Sequence, residues 1–261
     1  MSSEIMSAYW ATPPIARTLA TAIFVTSVLL RVKLIPGYWI YFHEHFLFML
    51  PPQVWRLATN FLVAGPGLGI IMDPYFTFQY LRQLETANPK FLRREDLIWY
   101  LVTVGGLTIL ISRAIMGSGF FFLGGLIIAL AYTANQDQRG VQTNFLFFTV
   151  PAQAVPYCML GITVLIDPPS IWVEISGLLA AHLYDFLTRL WPEFGGGPNL
   201  LATPRFVSWL IKTPRILQRR YGTAVSPPTA RATGGSTGAS EGPVLPDSWK
   251  TRGSGHRLGG S

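Results

Sequence analysis

Residues 53 to 86 constrain this chain more than any other stretch. They read QVWRLATNFLVAGPGLGIIMDPYFTFQYLRQLET. Trp55-Arg56 opens the segment, and Asn60 sits inside an apolar run. Gly65-Pro66-Gly67-Leu68-Gly69 then interrupts that run, before an aromatic part that ends in Arg82 and Glu85. Proline lacks an N–H and glycine lacks a Cβ, so a single regular helix does not fit. Inside a bilayer the backbone groups freed by such an interruption need partners from protein. The pattern predicts a membrane helix broken at Gly65–Gly69, with neighbouring helices sheltering the break.

The rest of the composition agrees. Half of the 261 residues are hydrophobic and only 13% are charged, which suits a polytopic membrane protein rather than a soluble domain. The net charge of +7 is localised. From Arg205 onward there are nine Lys/Arg against Glu241 and Asp247, and the remainder is balanced. A basic tail beside membrane helices reads as a cytoplasmic segment near anionic lipid. No nucleic-acid-binding motif accompanies the charge, so no nucleic-acid partner is expected. Cys158 is the one cysteine and lies in an apolar run, where it reads as a small buried side chain. The N-terminus carries Glu4 rather than a basic patch, so the first apolar run is expected to stay as an anchor.

Hydropathy predicts six spans. The first covers about 15–34, with Arg17, Arg31 and Lys33 at its ends. Residues 38–52 are dense in Tyr, Trp and Phe and read as an interfacial loop. The second span covers 57–80, broken at 65–69, and 83–96 is a charged turn. The third covers 97–111. Arg113 then reads as marking a loop, because a charge at mid-membrane costs about 3 kcal/mol. The fourth covers 119–133, a polar connection follows to Asn144, the fifth covers 150–166 and the sixth 171–191. Six spans put both termini on one side, and the basic tail makes that side cytosolic. The expected organisation is a membrane domain at 1–192, a linker with an amphipathic surface helix at 193–221, and a disordered tail at 222–261. That tail is too poor in large apolar residues to fold.

Ser118 and His182 are the one pair that suggests catalysis, as a membrane serine protease dyad. Met116 stands where that motif would want glycine, so catalysis is the alternative rather than the main reading. His43 and His45 lack an evident third ligand and read as structural, so no metal or cofactor is expected. The planar fork of Arg56 can tie several loop carbonyls together, or can simply snorkel. Gly177 and Ala181 make a small-xxx-small face that lets helices approach. Ser176, His182, Tyr184 and Asp185 make the sixth span polar, and several spans fall near or below about 20 residues, which implies a thinned bilayer.

Several separated motifs resemble the derlins, rhomboid-like pseudoproteases of the endoplasmic reticulum, here of the fungal type. They are Pro13-Pro14-Ile15-Ala16-Arg17-Thr18, Trp55-Arg56, Gly65-Pro66-Gly67-x-Gly69, Tyr75–Leu81, Leu84-Glu85-Thr86, His182-Leu183-Tyr184 and Leu201-Ala202-Thr203-Pro204. The resemblance implies an all-α, rhomboid-like bundle of six transmembrane helices in the ER membrane, with both termini cytosolic and no catalysis. It places Trp55 and Arg56 in the lumenal loop. It puts Gly177 and Ala181, beside His182, on the GxxxG of span six, with Ala replacing the second Gly. Asn60, Gly65, Gly67 and Gly69 belong to the broken span. It also implies a tail motif for a cytosolic AAA unfoldase of the valosin-containing protein type. Gly253, Gly255 and Leu258 fit that motif, with Trp249 substituting for an aromatic whose place Thr251 holds. The implied role is retrotranslocation of misfolded proteins with an ER ubiquitin-ligase complex, in contact with membrane lipids.

Overall fold

The computed structural model describes residues 2–91, 93–117, 121–145, 148–197, 200–204, 206, 207 and 209. All lie in one compact unit, Met1–Gln218. Ser118, the tail with Trp249, Gly253, Gly255 and Leu258, and most of the expected surface helix fall outside the described residues.

A short helix α1 (Ser2–Ala11) precedes α2 (Pro14–Arg31). Pro14 sits in the first turn of α2, where its missing N–H costs nothing. Short helices α3 (Glu44–Phe48) and α4 (Arg56–Thr59) follow. The long elements are then α5 (Gly69–Thr86), α6 (Arg94–Met116), α7 (Leu123–Asn135), α8 (Val155–Ile166) and α9 (Ile171–Asp185). A π-helical turn, Phe186–Leu190, joins α9 to α10 (Trp191–Gly195). The core lies where α5, α6, α7 and α9 meet and includes Leu81, Leu84, Tyr100, Val104, Leu123 and Leu130. Tyr100 is fully buried, and its hydroxyl bonds Ala129 O at 3.1 Å and pairs with Thr133 Oγ1 at 2.7 Å.

Each expected span carries one main helix, but the boundaries differ. Among the described residues, two helices, Pro14–Arg31 and Arg94–Ile115, are long and apolar enough to cross a membrane, while Leu123–Asn135 and Ala152–Ile166 are shorter apolar helices. The expected loop at Arg113 is not there. The α6 helix runs through it to Met116 and stops at Gly117, which adopts a left-handed φ of +65°. Arg113 lies in the last turn, where a cation suits the helix dipole, and meets Glu44 Oε1 at 2.6 Å. The charged turn expected from residue 83 is helical to Thr86. The all-α expectation also needs correction, because an antiparallel hairpin forms from β1 (Gln142–Phe145) and β2 (Phe148–Pro151). Thr143, Phe145, Thr149 and Val150 are β-branched or aromatic and suit a pleated pair. Phe145 stacks on Phe76 with ring centroids 6.0 Å apart, and Val150 pairs with Thr143, so Val150 belongs to the hairpin and the fifth helix starts later, at Val155.

Candidate functional site

At one end of the bundle the site is built on Arg56. Its residue is buried at the start of α4. Nε donates to Gln53 Oε1 at 2.7 Å and one terminal nitrogen to Tyr41 O at 2.7 Å. The guanidinium also lies 4.1 Å from the Phe46 ring centre and 5.2 Å from that of Tyr41. One planar cation therefore holds residues 41, 46 and 53 of an aromatic loop together, as its rigid fork allows. Trp55 beside it is half-exposed. Asn60 is fully buried, and its Nδ2 donates to Arg56 O and Leu57 O, so it belongs to the same cluster.

The break follows directly. Helical hydrogen bonding ends at Leu62 and resumes at Gly69. Side chains supply the freed donors: Ala64 N donates to Ser27 Oγ of α2 at 2.9 Å, and Gly65 N to Asp73 Oδ2 of α5 at 2.7 Å. Gly67 turns the chain with a φ of +64°, a conformation that costs an L-residue about 1–2 kcal/mol. Gly65 and Gly69 both lie close to Asp73, whose carboxylate would be 3.4 and 3.3 Å from an added Cβ.

Gly177 sits at a close helix crossing. A Cβ there would lie 1.9 Å from Gly125 O, so α9 rests directly on the backbone of α7. Gly125 is equally confined: its Cβ would come 2.6 Å from Val173 O and 2.8 Å from Thr108 Cγ2 of α6. Ala181 is buried one turn on. His182 is exposed and packs on the Tyr132 ring at 4.1 Å between centres. His43 caps α3, its Nδ1 accepting from His45 N.

The opposite end is ionic. Lys90 meets Asp137 at 2.9 Å and Asp185 at 3.2 Å, and Arg189 meets the same two carboxylates at 3.1 and 2.7 Å. Lys90, Asp185 and Arg189 border a cavity of about 540 Å³ that also touches Tyr184 and Thr203. Thr203 bonds Asp96 at 2.7 Å and Trp99 Nε1 donates to Leu201 O, which docks the 201–203 segment on α6. Glu85, at the end of α5, accepts from the N–H groups of Ile15 and Ala16 at 3.1 Å each. Burial pushes its carboxyl above the ordinary range, against those two donors.

Neither Asp73 nor Glu174 stands out in the sequence. The signal is present, because an ionisable residue inside an apolar stretch is a functional candidate by default. Glu174 Oε1 accepts from Thr163 at 2.8 Å, while its buried Oε2 has no partner among the described residues.

Known proteins bear on this arrangement. The Der1-like family model matches residues 12–205. Derlin-1 of Homo sapiens is 31% identical over 215 residues, covering 80% of this chain and 83% of that protein. Derlin-1 of Bos taurus is also 31% identical, with the same coverage. Derlin-2.1 of Zea mays is 28% identical over 224 residues, 81% of this chain and 88% of its own length.

Proposed function

The chain belongs to the Der1-like family, and on that premise we propose that it is a non-enzymatic component of ER-associated degradation. It is a multi-pass protein of the ER membrane with both termini cytosolic, and it helps move misfolded proteins from the ER to the cytosol. One observation carries the reading. Helices α7 and α8 have 13 and 12 residues, about 20 and 18 Å at ~1.5 Å per residue, against a hydrocarbon core of about 30 Å. A bundle with such helices thins the lipid around it. The break at residues 63–68 adds polar backbone, of which neighbouring side chains satisfy the Ala64 and Gly65 N–H groups. A thinner, locally polar route lowers the cost of carrying unpaired backbone groups through lipid, several kcal/mol for each.

Arg56 and Trp55 shape the receiving loop on the lumenal side. A ubiquitin-ligase complex supplies the other wall of the route. Trp249, Gly253, Gly255 and Leu258 recruit the AAA unfoldase that does the work. The protease reading drawn from Ser118 and His182 is not favoured.

Two measurements test the proposal together. In cells lacking the protein, the wild-type chain should shorten the half-life of a misfolded ER reporter, and Arg56→Ala should lengthen it again. The unfoldase should co-purify with the intact chain from detergent extracts and be lost with Leu258→Ala. A reporter half-life indifferent to the protein itself would end the export reading. Unfoldase binding that survives Leu258→Ala would move recruitment to another region.

A further inference from the structure

The sequence motif Pro13–Thr18 and the α1 helix before it have no part in the role above, yet the structure holds them in a defined place. Helix α1 does not project away from α2. Two carbonyls of its last turn, those of Tyr9 and Trp10, each accept from Arg17 at 3.2 Å. The same guanidinium lies over the Tyr9 ring at 5.1 Å and the Trp10 ring at 4.3 Å. Arg17 thus caps the C-terminus of α1 as a cation and stacks on its aromatics. The Tyr9 hydroxyl pairs with Thr21 Oγ1 at 3.0 Å.

That last contact fixes a depth. Thr21 is seven residues beyond Pro14, the first residue of α2, which is about 10 Å along the axis. The C-terminal turn of α1 therefore lies level with the first two turns of a membrane-spanning helix. Met6, Tyr9 and Trp10 fall on one face at helical spacing and are 57%, 38% and 47% exposed. Glu4 and Ser7 lie on other faces of the same helix. A second aromatic pair occurs at this end of the bundle. Trp99 Nε1 binds Leu201 O, and Phe206 and Trp209 just beyond are 62% and 76% exposed.

We infer that α1 is an interfacial helix, lying in the headgroup region of the leaflet at the Glu85 end and held there by Arg17. Its occupant is the lipid surface itself. Trp and Tyr favour that layer, and a helix with one apolar aromatic face beds about 5–10 Å into it. The inference rests on α2 crossing the membrane and not on the export role.

The chain's one cysteine, Cys158, makes a direct test possible. In a Cys158→Ser background, spin labels are placed singly at Met6→Cys, Ser7→Cys and Ala11→Cys. The protein is reconstituted in vesicles of phosphatidylcholine and phosphatidylserine. Collision with oxygen and with a water-soluble nickel chelate is then measured by power saturation. The label at residue 6 should meet oxygen and be protected from nickel, with the reverse at 7 and 11. Adding Arg17→Ala should abolish that contrast. Three nickel-accessible positions would overturn the inference, and so would a label at residue 6 shielded from both reagents, which would mean that protein covers α1. A contrast that survives Arg17→Ala would remove Arg17 from its positioning role. The scan with Arg17 in place stands even where that variant fails to fold.

Discussion

Replacing Gly177 by alanine should loosen the whole bundle. The new Cβ would sit 1.9 Å from Gly125 O and 2.4 Å from its carbonyl carbon, where ordinary contact begins at 3.4 Å. Both obstructing atoms are backbone, so no rotamer relieves the clash. Helices α7 and α9 would have to separate by about 1.5 Å, the difference between those distances. Overpacking of this kind costs roughly 1–3 kcal/mol. Rigid partners on both sides put this case at about 3 kcal/mol, because dispersion along the crossing is lost as well. For a chain of this size that is a fall of roughly 6–12 °C in the melting midpoint, at about 2–4 °C per kcal/mol. The assay is thermal melting in mild detergent, read by size-exclusion recovery of a fluorescent fusion. Gly125→Ala should behave alike, since its Cβ meets Val173 O and Thr108. Gly106→Ala, on α6 with nothing within 4 Å of the added Cβ, should be harmless. A Gly177→Ala protein that melts within about 1 °C of wild type would show that the crossing is not the tight joint described.

Other positions give sharper contrasts. Arg56→Ala removes hydrogen bonds to Gln53 and Tyr41 and should cost about 2–3 kcal/mol. Arg56→Lys should recover only part, because lysine lacks the fork, and protease cutting between residues 41 and 56 in proteoliposomes should rise in the order wild type, Lys, Ala. Asp73→Ala leaves the Gly65 N–H without its acceptor, about 1–3 kcal/mol, whereas Asp73→Asn keeps an oxygen; hydrogen exchange at Gly65 should be fast only in the first. Glu85→Ala uncaps α2 for about 1 kcal/mol, and Glu85→Gln should melt close to wild type. Equal effects of the two Glu85 changes would remove the capping role.

Much of this was legible in the residues. Gly65 to Gly69 announced a break because glycine and proline act locally, and Gly177 announced a close approach because it lacks a Cβ. The guanidinium of Arg56 alone admits two readings, a loop clamp or a snorkelling cation. The misread places share a different physics. Arg113 looked too costly for a helix because its partner, Glu44, lies far away in sequence. Residues 142–151 looked like a polar loop and the start of a span because pairing across a hairpin depends on register, not on hydropathy. The role of Asp73 carries no local signal, because it depends on one amide eight residues earlier. The sequence carries donors and acceptors, but it does not say which ones meet.

The Glu85 cap has a consequence for the order of assembly. Pro13 and Pro14 offer α2 no side-chain cap of its own, and the carboxylate that receives the Ile15 and Ala16 amides lies 70 and 69 residues further along. At about 5–20 residues per second, a ribosome needs roughly 4–14 s to make that interval. Through that time the leading amides of α2 lack that carboxylate. Only when α5 has been made and its end packs on the start of α2 is the joint closed. The start of α2 is thus finished by a part synthesised seconds later, and a stall between the two would leave that helix formed but unlocked.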